Sequence, residues 1–151
     1  MTVIRVYADG VFDLFHHGHG GVLEQAKHLF DDVHLIAGLH SDATVHAMKG
    51  PTVMSFGERV SAMRHCKWVD EIVEDAPWQI DEAFIKEHDI DFVAHDGAPY
   101  PSPGLTDLYE IPKRLGIFVS TERSKNISTS DLVQRILDNF DMYTERNAKR
   151  K

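Results

Sequence analysis

The sequence predicts an α/β protein built on a Rossmann-like, doubly wound parallel sheet of five strands. Five short apolar runs alternate with segments whose apolar residues recur three or four positions apart. Strands that alternate with helices pair in parallel and are covered on both faces. The length of 151 residues, with 42% hydrophobic and 26% charged residues, suits one domain with a single core.

In the first half of the chain, runs rich in β-branched residues predict strands, and periodic apolar positions predict helices. Leu23 and Ala26 share a face of the first helix, and Ser41 can cap the second. Val60 and Met63 share a face of the third. The predicted elements are, in order, a strand over residues 3–8, a helix over 18–30, a strand over 33–39, a short helix from the cap through 48, a helix over 56–66 and a strand over 68–73.

The second half continues the alternation. Its predicted elements are a helix over residues 80–88, a strand over 90–94, a helix over 107–115, a short strand over 117–119 and a last helix over 128–143. We expect Pro112 to end or kink the helix over 107–115, because proline lacks the backbone N–H. Ser128 followed by Asp131 has the spacing of a capping box, with Asp in place of Glu.

Composition excludes several classes of function. No apolar run approaches the ~20 residues that a membrane span needs, and the start of the chain has no secretory signal pattern. The one cysteine, Cys66, excludes an intrachain disulfide and a cysteine-based zinc site, so we expect a reducing compartment, the cytoplasm. A net charge of -8 argues against nucleic-acid binding, although a few local cations can still hold an anion in a cleft.

The segment after the first strand carries the clearest chemical signal. Gly10 lets the chain turn out of the strand, and His16 and His19 flank Gly18 where the first helix begins. A helix N-terminus binds anions, and two imidazoles there suit hydrogen-bond donation to a phosphate whose charge grows in a transition state. The alternatives are two surface histidines or an incidental metal site, although zinc needs more ligands than this spacing supplies.

Two other segments suggest phosphate binding. Arg123 and Lys125 precede the Ser/Thr-rich start of the last helix, an arrangement that suits a phosphate. The alternative is that Ser128 serves only as a helix cap. Lys49 lies after the second strand beside Gly50. A lysine on a loop is usually only solvated, so its interpretation stays open at this point.

Motifs along the chain carry a resemblance to a known family. His16–His19 resembles the H-x-G-H signature of the nucleotidylyltransferase superfamily, and the string Val6–His16 resembles the start of the choline-phosphate cytidylyltransferase catalytic domain. Further matches, in order, are Lys49-Gly50, Glu58-Arg59, His65–Glu71, Ala76–Trp78, Asp91–Asp96, Pro99-Tyr100, Arg123 and Ile127–Asp131. The resemblance covers about residues 3–143. It implies a nucleotidylyltransferase fold, with a catalytic domain over residues 1–144 and a basic tail over 145–151.

The resemblance implies transfer of CMP from CTP to phosphocholine, giving CDP-choline and pyrophosphate. The implied catalytic residues are His16, His19 and Lys49. The implied nucleotide-binding residues are Gly10, Val11, Phe12, His16, His19, His95, Arg123, Ile127, Ser128 and Thr129. The implied phosphocholine-binding residues are Asp9, Lys49, Trp78, Asp96, Tyr100 and Tyr109. No resident metal site is implied, and Mg²⁺ is expected to accompany CTP.

The implied substrate agrees with the chemistry of these side chains. A quaternary ammonium has no N–H to donate, so its recognition needs aromatic faces and nearby negative charge. Trp78, Tyr100 and Tyr109, with Asp9 and Asp96, supply both, although any single aromatic residue is more often a packing residue. The family is dimeric, which implies a homodimer through the segment around Cys66–Val69, or equally a core role for that segment.

The sequence departs from the family pattern at several positions. Ser124-Lys125-Asn126 replaces T-E-G, and Asn126 suits a glycine position only if the backbone there is left-handed. Gly97 replaces a second aspartate, and Lys67 replaces arginine. Arg59 stays open between a phosphate contact and an exposed helix surface. The cationic residues of 146–151 predict at most weak membrane association, with nuclear or peripheral-membrane pools as further compartments.

Two other functions remain alternatives to phosphocholine transfer. The ethanolamine-phosphate branch shares the H-x-G-H signature, although Trp78 and Tyr100 follow the choline branch. A catalytically silent nucleotide-binding protein is suggested by the altered stretch before the last helix. A metal-binding module, suggested by the ten histidines, ranks third.

Overall fold

A single five-stranded parallel sheet organises the protein, which the computed structural model describes over residues 2–151. The strands are β1 (Ile4–Gly10), β2 (Val33–Leu39), β3 (Glu71–Glu74), β4 (Phe92–Asp96) and β5 (Phe118–Thr121). The helices are α1 (His17–Lys27), α2 (Asp42–Met48), α3 (Phe56–Met63), α4 (Glu82–Glu87), α5 (Glu110–Arg114), α6 (Thr129–Asp138) and α7 (Phe140–Arg150). This architecture confirms the predicted fold class.

The strand order β3-β2-β1-β4-β5 places β1 at the centre of the sheet. The chain first winds outward through β2 and β3, then crosses back to β4 on the other side of β1. The carboxyl ends of β1 and β4 therefore form a switch point, where loops on neighbouring strands diverge. Parallel sheets bind ligands at such a crevice.

Two hydrophobic clusters cover the opposite faces of the sheet. The neighbours Val6 and Tyr7 on β1 belong one to each cluster, as the period of a strand requires. The first cluster includes Leu23 of α1, and the second includes Phe84 of α4. Both faces are therefore buried, which explains why β1 and β2 are apolar throughout their centres.

The helix starts are fixed by side chains that accept backbone N–H groups. Ser41, Asp81 and Ser128 cap α2, α4 and α6 in this way. Ser55 and Glu58 form a reciprocal capping box at α3. The Ser41 and Ser128 caps were predicted from the sequence, and both are confirmed.

Some predicted element bounds were wrong. The third strand begins at Glu71 rather than at 68, because Trp68 and Val69 pack against the first core cluster from the preceding turn. The first helix ends at Lys27, and Phe30 lies in the turn before β2. Most of the other predicted elements begin or end a few residues away from their predicted bounds, and α3 ends at Met63 rather than at 66.

Two predictions about helix interruptions also need correction. Pro112 does not break its helix, because α5 begins at Glu110 and the proline lies in the first turn. Backbone N–H groups of a first turn have no acceptor within the helix, so proline loses no hydrogen bond there. The last predicted helix is two helices, separated at Asn139, whose φ of -121° and ψ of 31° are not helical. The predicted division at residues 144 and 145 stays a prediction, and α7 runs across it. No helix in residues 2–151 combines the length and apolar character needed to cross a membrane.

We expect Gly38→Ala to destabilise the protein by about 1–3 kcal/mol, the usual cost of overpacking a core. A Cβ atom at Gly38 would lie 2.6 Å from Cζ of Tyr7, a side chain that is fully buried. Urea denaturation of both proteins measures the loss.

Gly57→Ala is the matched control, because no atom lies within 4 Å of its added Cβ and the position is helical. There we expect a gain of about 0.5–1 kcal/mol from helix propensity. Equal stability of the Gly38 variant and the wild-type chain would contradict the packing described for β1 and β2.

Candidate active site

A cleft of about 670 Å³ opens at the carboxyl ends of β1 and β4. The turn from β1 to α1, the loop from α2 to α3, the loop after β4 and the loop from β5 to α6 form its walls. All but two of the predicted site residues line it. The exceptions are Trp78, which flanks the cleft beside Tyr100, and Tyr109, which lies beneath it.

His16 and His19 form a stacked pair at the N-terminus of α1. Their ring centroids are 3.8 Å apart, and the rings lie within 23° of parallel. The Nδ1 atom of His16 accepts from the backbone N–H of Gly18, and Nδ1 of His19 accepts from that of His16. Because both Nδ1 atoms accept, the ring proton of each neutral imidazole lies on Nε2. The pair therefore presents two Nε2–H donors.

The stack depends on glycine at position 18. A Cβ atom there would lie 2.8 Å from Cε1 and 2.9 Å from Nδ1 of His16. Any larger residue would displace the His16 ring from the backbone N–H that orients it. The glycine of the H-x-G-H pattern is thus a requirement of close packing.

Both imidazoles are uncharged at neutral pH. Burial lowers the pKa of His19 to about 4, with a further contribution from repulsion by His16. Burial, and then the neighbouring His17, also lowers the pKa of His16. The pair thus acts through N–H donation at the positive end of a helix, without bringing net charge.

Asp13 ties three segments together, a role that the sequence analysis missed. Its carboxylate accepts the backbone N–H groups of Val53 and Met54, at 2.8 and 2.9 Å. Its carbonyl oxygen accepts the Thr129 hydroxyl at 2.8 Å, and Oγ1 of Thr129 lies 3.4 Å from Nε2 of His16. A carboxylate set between Phe12 and Leu14 was the available signal, because a buried acid needs donors.

Arg59 is wholly buried, so both interpretations offered from the sequence were wrong. Its guanidinium donates to the carbonyl oxygens of Val11 at 2.8 Å and His40 at 2.9 Å. It also donates to Oδ1 of Asp42 at 2.8 Å. It therefore holds the turns after β1 and β2 against each other. Arginine is rarely buried, so helix periodicity alone could not reveal this role.

Trp78 and Tyr100 form an aromatic corner at one end of the cleft. Their ring centroids are 6.5 Å apart and the rings are nearly perpendicular. Nε1 of Trp78 donates to Oγ of Ser102, which fixes the indole. Nζ of Lys49 lies 5.0 Å from the Tyr100 centroid and 6.0 Å from that of Trp78. The corner thus already holds a cation against its aromatic faces.

An acidic group lies beneath this corner. The Tyr109 hydroxyl donates to Oδ1 of Asp9 at 2.7 Å, and the His95 ring stacks on Tyr109 at 4.3 Å. Nδ1 of His95 in turn lies 3.5 Å from Oδ2 of Asp96. Burial raises the pKa of Asp9, but the contacts from His40 and Tyr109 outweigh it, and the pKa lies below its usual value. Asp9 is therefore a buried carboxylate anion.

The opposite end of the cleft is formed by the loop before α6. Arg123, Ile127, Ser128 and Thr129 line it, whereas Lys125 does not. Asn126 has a φ of 62°, a left-handed backbone that asparagine tolerates better than most residues other than glycine. The substitution of asparagine for the family's glycine therefore suits the backbone of this chain.

Paired donors at a helix N-terminus, set at the switch point of a parallel sheet, are typical of α/β domains that bind phosphate-bearing ligands. A family model described as Cytidylyltransferase-like matches residues 7–135. The chain belongs to the Cytidylyltransferase-like family.

The relatives it resembles carry names that agree with this family. The chain is 55% identical over 147 residues to "Probable choline-phosphate cytidylyltransferase" of Schizosaccharomyces pombe, covering 97% of this chain and 41% of that protein. It is 51% identical to human "Choline-phosphate cytidylyltransferase A", covering 97% and 40%. It is 40% identical to "Ethanolamine-phosphate cytidylyltransferase" of Arabidopsis thaliana, covering 89% of this chain and 32% of that protein. The chain thus spans about two fifths of the length of the fission-yeast and human relatives.

A solved structure supports the fold alone. The lipopolysaccharide core biosynthesis protein from Thermoplasma volcanium GSS1 aligns with a TM-score of 0.63 at 23% identity. The match covers 81% of this chain and 98% of that one.

We expect Asp13→Ala to release the loop from α2 to α3. Two partly buried backbone N–H groups would lose their acceptor, at a cost of about 0.5–1.5 kcal/mol each. Amide hydrogen exchange at Val53 and Met54, with urea denaturation, measures the effect. Asp13→Asn is the matched control, since its one amide oxygen still accepts, and it should lose less protection. Unchanged exchange at both amides in the alanine variant would contradict the role assigned to Asp13.

Proposed function

We propose that this chain transfers CMP from CTP to phosphocholine, giving CDP-choline and pyrophosphate. The observation that carries the proposal is the joining of two sites in one cleft. The stacked histidines offer donors suited to a triphosphate, and the aromatic corner offers faces suited to a quaternary ammonium. Lys49 lines the same cleft, with its Nζ against the aromatic corner. The names of the relatives support the same reaction.

In the proposed reaction, a phosphate oxygen of phosphocholine attacks the α-phosphorus of CTP in line. The bond between that phosphorus and the oxygen bridging to the β-phosphate breaks, and pyrophosphate leaves with the electron pair. Nε2–H groups of His16 and His19 donate to phosphate oxygens as their charge grows. Lys49 bridges the phosphates of the two substrates, and this positions them for attack.

The remaining site residues divide between the two substrates in this proposal. The turn Gly10–Phe12, with His95, Arg123 and the start of α6 from Ile127 to Thr129, binds the nucleotide. Trp78 and Tyr100 hold the trimethylammonium group, and the charges of Asp9 and Asp96 favour it. Tyr109 contributes through Asp9, because it is only 5% exposed and its hydroxyl is already bonded.

We propose that Mg²⁺ enters with the nucleotide as the Mg·CTP substrate. Within residues 2–151, no group of three or more His, Cys, Asp or Glu side chains is arranged to hold a metal ion. The Asp13 carboxylate at the cleft is already used by backbone N–H groups. The phosphate oxygens of CTP are the ligands that Mg²⁺ prefers.

Phosphoethanolamine is the competing substrate. The chain is 48–55% identical to relatives named for choline from yeasts and mammals, against 40–41% for relatives named for ethanolamine. The aromatic corner also favours a head group that lacks N–H donors.

We further propose a cytoplasmic homodimer without nucleic-acid partners, in which the half-buried Cys66, Trp68 and Val69 contribute the remaining exposed part of their surface to the interface.

Activity of the purified chain with Mg·CTP tests the proposal. We expect pyrophosphate release with phosphocholine, CDP-choline as the second product, and slower release with phosphoethanolamine. Faster turnover of phosphoethanolamine would favour the competing substrate. Binding of CTP without pyrophosphate release from either phosphoalcohol would identify a silent nucleotide-binding protein instead.

We expect His19→Ala to lower kcat roughly 10²–10⁴-fold, because a positioned donor to the reacting phosphates is lost. CTP binding should stay measurable. His17→Ala is the matched control, since this neighbouring side chain is exposed and does not line the cleft. Near-normal turnover of the His19 variant would remove His19 from the catalytic residues.

We expect Trp78→Ala to raise the KM for phosphocholine roughly 2- to 30-fold, the effect of losing one cation–π contact. The KM for CTP should change much less. Phe140→Ala is the control, because this aromatic side chain on α7 is exposed and does not line the cleft, so neither KM should change. Loss of activity with both phosphoalcohols to the same extent, together with a lowered Tm, would assign Trp78 to packing.

A further inference from the structure

Gln25 is a half-buried residue of α1 to which the proposed reaction gives no role. Its side-chain amide meets the backbone of Glu122, which lies 97 positions further along the chain. Oε1 of Gln25 accepts the N–H of Glu122 at 2.8 Å, and Nε2 donates to the carbonyl oxygen of Glu122 at 2.9 Å. Because a backbone N–H only donates and a carbonyl only accepts, these contacts also fix the orientation of the amide. Gln25 therefore binds both polar groups of one backbone residue.

This pair of hydrogen bonds lies where the sheet ends. The last paired residue of β5 is Thr121, whose partner on β4 is Asp96. Glu122 follows directly, and the Gln25 amide continues the hydrogen bonding of the edge strand by one residue. The next residue, Arg123, lines the phosphate end of the cleft. The amide thus fixes the chain at the start of the loop from β5 to α6.

Two glycines on the same face of α1 let this loop lie close to the helix. A Cβ atom at Gly21 would lie 3.2 Å from Oγ of Ser124, and one at Gly18 would lie 3.1 Å from Cγ2 of Ile127. Residues 18, 21 and 25 are three and four positions apart, so they share one face of the helix. The loop therefore follows α1 from Gln25 toward the helix N-terminus, where the two histidines stack.

One helix thus sets both parts of the phosphate end. Its N-terminus presents the histidine donors, and its middle holds the loop that brings Arg123 to the cleft. The Arg123 side chain is exposed, so its position depends mainly on where its backbone is fixed. Ordering a mobile loop and a long side chain on binding costs conformational entropy. An arginine whose backbone is already fixed avoids part of that cost.

We propose that Gln25 is a positioning residue for nucleotide binding and that it acts through Arg123. It fixes the backbone of Glu122, so that the guanidinium of the next residue reaches the triphosphate without first ordering the loop. The inference rests on the proposed binding of CTP in this cleft, and it does not depend on which phosphoalcohol reacts.

The Kd of Mg·CTP, measured by calorimetry in the wild-type chain and its variants, tests this role. Gln25→Leu removes both hydrogen bonds at similar volume, and Gln25→Asn keeps an amide that is one methylene too short to make both. Gln134→Leu is the matched control, because this exposed glutamine of α6 bonds Asp138 of its own helix and does not line the cleft. A thermal melt of each variant checks that it folds.

We expect Gln25→Leu and Gln25→Asn each to raise the Kd of Mg·CTP roughly 5- to 30-fold, the effect of weakening one hydrogen bond between charged groups. The KM for phosphocholine should change much less, because its head group binds at the other end of the cleft. Hydrogen exchange of the Glu122 amide should become faster in both variants. The Gln134→Leu chain should resemble the wild-type chain in all three measurements.

A double variant shows whether Gln25 acts through Arg123. In a chain that already carries Arg123→Ala, adding Gln25→Leu should raise the Kd little further, since the side chain that Gln25 positions is gone. A role of Gln25 in general stability would instead add its full effect to that of Arg123→Ala.

The outcomes separate the inference from the proposed function. An unchanged Kd in both Gln25 variants, or full additivity with Arg123→Ala, overturns the inference alone. If Gln25→Leu unfolds, Gln25→Asn carries the same comparisons. A chain that binds Mg·CTP with this dependence on Gln25, yet releases no pyrophosphate with either phosphoalcohol, contradicts the proposed reaction and supports the inference. A wild-type chain that does not bind Mg·CTP contradicts both.

Discussion

The turn that leaves β1 must bury polar backbone groups at the carboxyl end of this central strand. The rest of the cleft depends on how the hydrogen bonds of those backbone groups are satisfied. Arg59 satisfies a carbonyl oxygen of this turn, and Asp13, which lies in the turn, ties it to a neighbouring loop. The carboxylate accepts N–H groups from the loop after α2, and the guanidinium donates to carbonyl oxygens of the turns after β1 and β2. Asp13 lies three residues before His16, so these contacts fix the chain just before the stacked pair. One arrangement of buried polar groups thus positions the histidines and the loop of Lys49 together.

The cleft reconciles an acidic chain with the anionic substrates that we propose. The net charge is -8, yet the phosphate end is built from helix N-termini, neutral imidazole donors and the cationic side chain of Arg123, and the cleft also carries Lys49. These groups act over short distances, so the overall charge matters less than their direction. At the other end, the negative charge of Asp9 lies beneath aromatic rings, where it favours a cation.

The sequence predicts the fold well because alternation of strands and helices is a local pattern. It also identifies most residues of the cleft, since the turn after β1 carries its histidines and glycines within one short segment. The sequence analysis missed Asp13 and misread Arg59, because their partners lie far along the chain: Asp13 bonds Val53, and Arg59 bonds Val11. Trp68 misled the strand prediction because an apolar residue in a turn can pack on the core just as a strand residue does.

The central claim is that the histidine pair acts as two neutral Nε2–H donors. Nitrogen-15 NMR of the imidazole rings, titrated between pH 3 and pH 8, tests it most directly, because ring nitrogen shifts report both charge and tautomer. We predict that His19 is neutral at pH 7, carries its proton on Nε2 and titrates near pH 4, as its pKa of about 4 requires. Addition of Mg·CTP at pH 7 should then shift the Nε2–H signals of both rings. Titration of His19 near its ordinary pKa of about 6.5, or a proton on Nδ1, would contradict the account.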